Sequence, residues 1–249
     1  MAYAYQNSYN YKRGLDSHMM KNTEWGAIAY LSYSAYGIQE KVRINNNASS
    51  ITGYAANNEP TCGYTGTNEE CNRYCNDGTC NTAYPNSVLA STTGNITGIY
   101  DMSGGTWEYV MGVSSDSNGL PMSGMNETNN SGFIGSYENG EFLSDGYEWP
   151  DSKYYDIYQY STTDKEYQRR ILGDATGEMG PFANATYLTQ IRQISSWYAD
   201  LARFINFNNP WFIRGGDHSY ALDAGMFAFE NDYGRMTTWF GFRVVLMPN

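Results

Sequence analysis

Hydrophobic and polar positions alternate between short ordered patterns and long stretches without a period. Ser17 offers an N-cap and Gly37 a C-terminal stop, which predicts a helix from about residue 17 to residue 36. Residues 95–110 run from a glycine-rich turn into an apolar stretch and predict a turn followed by a strand. Residues 195–213 carry apolar groups at irregular helical spacing until Pro210 breaks the run. At the far end, Gly241, Phe242, Arg243, Val244, Val245 and Leu246 predict an apolar strand of the kind that buries in a core. Between these patterns, residues 41–93 and 112–150 are rich in Gly, Ser, Asn and Asp and predict loops, the first with short strands. Residues 1–16 are rich in Tyr and Asn, show no core pattern, and predict an arm or an edge strand. Long loops on a small regular frame put function on the loops.

Composition narrows the class. The chain has 249 residues, 41% of them hydrophobic, without a run of about 18 consecutive apolar residues. That predicts one sizeable core over residues 17–249 and no membrane insertion. Fifteen Lys and Arg against 26 Asp and Glu give a formal charge of −11, with the basic residues scattered. Nucleic acid and anionic membranes need a concentrated positive surface, so neither is an expected partner. Tyr alone numbers 24 while only 16% of residues are charged, a balance that suits extracellular adhesion.

Four cysteines, Cys62, Cys71, Cys75 and Cys80, fall inside the 41–93 insertion. An even number at close spacing in a loop predicts two disulfides, with three pairings open, and an oxidising environment. A thiolate zinc site is the rival reading, but the intervals of eight, three and four residues contain no C-x2-C pair. The start, MAYAYQNSYNYK, lacks the charged and apolar regions of a secretion signal, which leaves a piece of a larger surface protein or assembly into a particle as routes outward.

The segment from Pro210 to Asn249 holds the richest chemistry. Arg214, Gly215 and Gly216 open it, and its middle follows neither a helical nor a strand period. That middle mixes aromatics, small hydroxyls and both charges, as recognition surfaces do. With its closing GFRVV, the segment resembles the C-terminus of the formylglycine-generating-enzyme-like (sulfatase-modifying factor) domain, a variant of the C-type lectin fold. Residues 94–108, GNITGIYDMSGGTWE, are similar to that family's N-x-x-G-L-Y-D-M-S-G-N-V-W-E signature, and residues 20–36 look like its helix. The resemblance spans roughly residues 17–247 and implies an α+β, C-type-lectin-like fold with long irregular loops.

The family's chemistry does not carry over residue by residue. Its oxidases use paired cysteines between the RGG and GFR elements, and no cysteine lies between residue 81 and residue 249 here. Related iron enzymes need several histidines, and this chain has only His18 and His218. No G-x-S-x-G elbow occurs. No catalytic residue, catalytic metal or organic cofactor is therefore expected. A structural calcium ion stays open, because the loops are rich in oxygen donors. At the family's calcium position, however, Gly105 stands where an Asn would be, and Glu108 is the one matching acidic side chain.

The remaining branch of the resemblance is the variable protein of diversity-generating retroelements, whose C-terminal segment is rewritten by adenine-directed mutagenesis. Asn codons treated in that way yield Asp, His, Ser, Tyr, Leu, Thr, Arg, Ala or Phe, but never Lys, Gln, Glu, Met or Trp. Asp217, His218, Ser219, Tyr220, Leu222, Asp223, Asp232, Tyr233, Arg235, Thr237 and Thr238 obey this rule, while Met226, Glu230, Met236 and Trp239 do not. The first group, together with Trp239 and Phe240, forms the expected ligand-binding set. Tyr220, Tyr233, Trp239 and Phe240 would be its aromatic anchors, whereas Phe227, Phe229 and Phe242 are assigned to packing. The implied function is a non-catalytic adhesin or receptor-binding module outside the cell, on a bacterial surface or a phage particle. Its target would be a protein or glycan on another cell or particle. A metal-dependent oxidase and a structural or pilus-associated subunit are the alternatives, and the oligomeric state is left open.

Overall fold

The computed structural model describes residues 1–9, 15–45, 90–95, 97–122, 131–133, 137–138, 141–142, 147–159, 171–176, 197–219 and 224–248. The four cysteines, and Tyr220, Leu222 and Asp223, lie outside the described residues. The chain is mixed α and β, mostly sheet with few helices. Its elements begin with α1 (Ala2–Ser8), β1 (Leu15–Met19) and α2 (Asn22–Tyr33). Then come β2 (Trp107–Ser114), the short hairpin β3 (Tyr137–Glu138) and β4 (Glu141–Phe142), and β5 (Asp156–Tyr158). The last four are β6 (Trp211–Gly215), β7 (Gly225–Asp232), β8 (Phe240–Phe242) and β9 (Val244–Pro248).

The principal sheet has five strands. β2, β6 and β7 are successively antiparallel, while β5 and β8 both run parallel to β2 at opposite ends of it. The sheet is covered on both faces, and the alternation of side chains decides which face each residue enters. Val110, Phe212, Phe227 and Phe229 join Trp25 and Ala29 of α2 in one buried cluster. Trp107, Tyr109, Met111, Trp211, Ile213 and Ala228 join Met19 of β1 and Ala2 and Tyr5 of α1 in the other. Each fully buried large side chain is worth about 1.5–3 kcal/mol in removed apolar surface, so these clusters fix how the strands stack.

Three expectations need correction. The predicted helix 17–36 is shorter: Ser17 lies in β1, paired with Leu246 of β9, and α2 starts after Lys21. Its first turn is held by two carboxylates, since Glu24 accepts the Lys21 N–H at 2.8 Å and Asp156 accepts the Thr23 N–H at 2.8 Å. It ends at Tyr33, where the Ser34 N–H donates to the Leu31 carbonyl, so Gly37 stands beyond the stop. The residue 1–16 arm contains a seven-residue helix whose Ala2 and Tyr5 are core residues, and it runs on into β1.

The terminal run is not one buried strand. It breaks at Arg243, so that Phe240–Phe242 extends the principal sheet along β2 and Val244–Pro248 pairs with β1. Neither half is sealed, and Phe242 and Leu246 remain 38% and 46% exposed, so Phe242 is not a packing residue of the core. No helix among the described residues is long and apolar enough to cross a membrane.

Candidate functional site

Two glycine-rich motifs, far apart in sequence, are stitched together by the backbone. Gly215 and Gly216 both adopt positive φ, +87° and +78°, which turns the chain out of β6. The Gly104 N–H donates to the Gly215 carbonyl at 2.9 Å, and the His218 N–H donates to the Gly105 carbonyl at 2.8 Å. The turn that follows is closed by Asp217, whose Oδ1 accepts from the Ser219 N–H at 2.7 Å and from the Ser219 hydroxyl at 2.6 Å. His218 projects from this turn and its ring stacks on Trp239, with centroids 5.9 Å apart and planes 20° apart.

The second loop leaves β7 at Asp232. This side chain is only 5% exposed and acts as the hub of the turn. Its Oδ1 accepts from the Tyr109 hydroxyl and from the Gly234 N–H at 3.0 Å, while Arg235 Nε lies 3.2 Å from Oδ2. Burial, and then the adjacent Asp232 carboxylate, push the Tyr109 phenol well above its ordinary range, which keeps it a hydrogen-bond donor. The Arg235 guanidinium is held over the Tyr233 ring at 4.9 Å and the Phe240 ring at 5.6 Å, and it donates to the Tyr233 hydroxyl at 2.9 Å. The Thr237 hydroxyl accepts the Trp239 N–H at 3.0 Å, turning the chain into β8, where Phe240 meets Tyr109 edge-on at 5.0 Å.

These loops enclose a cleft of about 330 Å³ over the ends of β2, β6 and β7. Six of the thirteen residues expected to bind ligand line it: Asp217, Ser219, Asp232, Arg235, Trp239 and Phe240. His218 supports the rim from behind Trp239, Tyr233 braces Arg235, and Thr237 and Thr238 belong to the turn before Trp239. The members are not equivalent. Trp239 is 55% exposed, whereas Phe240 is half-buried against the core and Asp232 spends both oxygens on its own loop.

Four lining residues lie outside the expected ligand-binding set: Trp107, Ile213, Glu230 and Asn231. Trp107 and Ile213 form the floor because they point to the same sheet face, and the pairing of Trp107 with Phe240 has no counterpart in local sequence. Glu230 and Asn231 are the last two residues before β7 ends at Asp232. Glu230 forms an ion pair with Arg203, and Asn231 Nδ2 donates to the Phe204 carbonyl at 2.6 Å. The polar endings of an otherwise apolar strand were the available signal.

Glu108, the acidic side chain at the position the resemblance gives to a calcium ligand, is occupied by protein. Arg243 Nη2 donates to its Oε1 at 2.6 Å and Arg243 Nε lies 2.6 Å from its Oε2. A scan of protein-family models finds no match to the chain, and neither does a search of curated proteins.

Proposed function

We propose that this chain is a ligand-binding variable protein of a diversity-generating retroelement, without catalytic activity, built on the C-type-lectin-like fold of the formylglycine-generating-enzyme type. The observation that carries the reading is the division of labour within residues 214–243. Of the residues expected to open the segment or to pack, Arg214, Phe227 and Phe229 are fully buried and Gly215 and Gly216 make the turn, with Phe242, 38% exposed, as the exception. Of the expected ligand-binding set, Asp217, Ser219, Asp232, Arg235, Trp239 and Phe240 instead line one open cleft. A surface that varies in side chain while its backbone is pinned by glycines, a paired strand and a carboxylate hub loses little on ordering when it binds.

Within that set Asp232 belongs to the frame, and Trp239 is the exposed anchor. The ligand is a protein or glycan of another cell or particle, and the working location is extracellular, on a bacterial surface or a phage particle. The absence of thiols from residue 81 onward favours binding over oxidase chemistry.

The test is to sequence the DNA flanking the gene for an imperfect repeat of codons 214–246 beside a reverse transcriptase. The expected repeat differs at adenines in the codons of Asp217, Ser219 and Arg235 and agrees at those of Gly215, Gly216, Phe227 and Phe229. A flanking region with neither repeat nor reverse transcriptase overturns the retroelement assignment.

A further inference from the structure

The cleft is lined by three carboxylates and one guanidinium, and only one of the carboxylates lacks a counter-charge. Asp232 has Arg235, with Nε 3.2 Å from Oδ2. Glu230 has Arg203. Asp217 has no cation within 4 Å among the described residues, although it is only 5% exposed. Its Oδ1 is saturated by the two Ser219 donors, and no protein group among the described residues bonds its Oδ2. The Oδ2 lone pairs are therefore open to a group entering the cleft, and a charge pair formed inside a cleft is screened less than one on an open surface.

Beside it stands Trp239, more than half exposed, with one face of its indole stacked by the His218 ring. The π-face of an indole is the best aromatic surface for a cation, and an apolar stem lies against the same ring. The molecule's charge of −11 steers in the same direction, drawing basic surfaces toward it. Arg235 cannot fill the role internally, because Asp232, Tyr233 and Phe240 already hold it in place.

Building on the reading of this cleft as a ligand site, we propose that it takes a lysine or arginine side chain of a partner protein. The ammonium or guanidinium pairs with the Asp217 carboxylate and the stem lies along Trp239. A glycan would also use an indole platform, but nothing in a neutral sugar compensates the Asp217 charge, so the cationic side chain is the better fit.

The test uses the full chain and small probes. Nα-acetyl-lysine methylamide and Nα-acetyl-arginine methylamide are titrated while the indole N–H resonance of Trp239 is followed by NMR, assigned with Trp239→Phe. Nα-acetyl-norleucine methylamide and methyl glycosides serve as neutral controls. Both cationic amides should shift the Trp239 resonance saturably, the norleucine compound should not, and added salt should weaken the effect. Asp217→Asn keeps an Oδ1 acceptor for Ser219 and removes the charge, and it should weaken the cationic probes by about five-fold or more.

Equal binding of the norleucine compound, or an unchanged affinity in Asp217→Asn with its spectrum intact, overturns the proposal. Binding of the methyl glycosides alone overturns it while leaving the cleft a ligand site. No shift with any probe also overturns it, and leaves the retroelement assignment to the flanking-repeat test.

Discussion

Arg243 and Glu108 form a two-pronged ion pair, Nη2 to Oε1 and Nε to Oε2, both at 2.6 Å. Arg243 also donates to the Asp101 carbonyl at 2.6 Å. The pair therefore ties the one residue between β8 and β9 to the glycine-rich signature and to β2. Burial outweighs the arginine, and the Glu108 carboxyl is pushed up to about 7 from its ordinary 4.5. A group that holds its proton more tightly when folded contributes stability in full below the unfolded value of 4.5, and that contribution is lost as pH rises to about 7. Glu108→Gln removes this titration. The difference in urea midpoint between wild type and variant should change across that window and be flat above it, and a difference constant over the whole range would place the titration on another group.

Trp239 and Phe240 are adjacent but sit in different environments. Trp239→Ala should change unfolding free energy by no more than about 0.5 kcal/mol, as for exposed positions generally. Phe240→Ala removes a ring packed on Tyr109 and should cost about 2 kcal/mol. Chemical denaturation of both variants decides, and an equal loss would remove Trp239 from the surface set.

Arg214 is fully buried between the rings of Trp25, at 5.7 Å, and Phe229, at 5.6 Å. It donates to Asn22 Oδ1 at 3.1 Å and to the Asp174 carbonyl at 3.3 Å, and burial lowers its pKa from 12.5 to about 10. Arg214→Ala leaves a hole and two stranded acceptors, at a cost of about 3–5 kcal/mol. Arg214→Met keeps most of the volume and should cost clearly less. Matched urea titrations test the ranking, and equal losses would mean that volume is not what Arg214 supplies.

Gly216 combines a φ of +78° with a neighbour so close that an added Cβ would lie 2.5 Å from Ala224 Cβ. Gly216→Ala should cost about 1–2 kcal/mol for the backbone alone. It should also displace Asp217, visible as faster amide exchange at Ser219. Unchanged stability would show that the turn has an alternative conformation.

The sequence was most legible where local chemistry and tertiary packing agree. The helix at residues 22–33 lies inside the predicted span, the signature leads into β2 as expected, and Phe227 and Phe229 are core residues. β7 was not seen, because Met226, Phe227, Ala228 and Phe229 are buried on both faces of the sheet and so show no alternation. The break at Arg243 was hidden for another reason: GFRVVL reads as one strand, and only the grip of Glu108 and two different partner strands divide it. Of the cleft, the lining from the two loops was legible as an aperiodic mixture. The floor was not, since Trp107 and Ile213 reach it through strand pairing.

The pairing of β1 with β9 also bears on the order in which the molecule is made. Met19 faces Val244 and Leu15 faces Pro248, so this ladder closes a loop of more than two hundred residues. Contacts that distant form late, after local structure has condensed. β8 joins β9 through a single residue and carries Phe240, a wall of the cleft. The wall itself needs only the pairing of Phe240–Phe242 with Trp107–Tyr109 of β2, and the β1–β9 ladder then anchors the chain directly behind it. A copy that stopped before residue 240 would leave Trp107–Tyr109 of β2 without their parallel partner and the cleft without its Phe240 wall, an open strand edge of the kind that invites pairing with other chains.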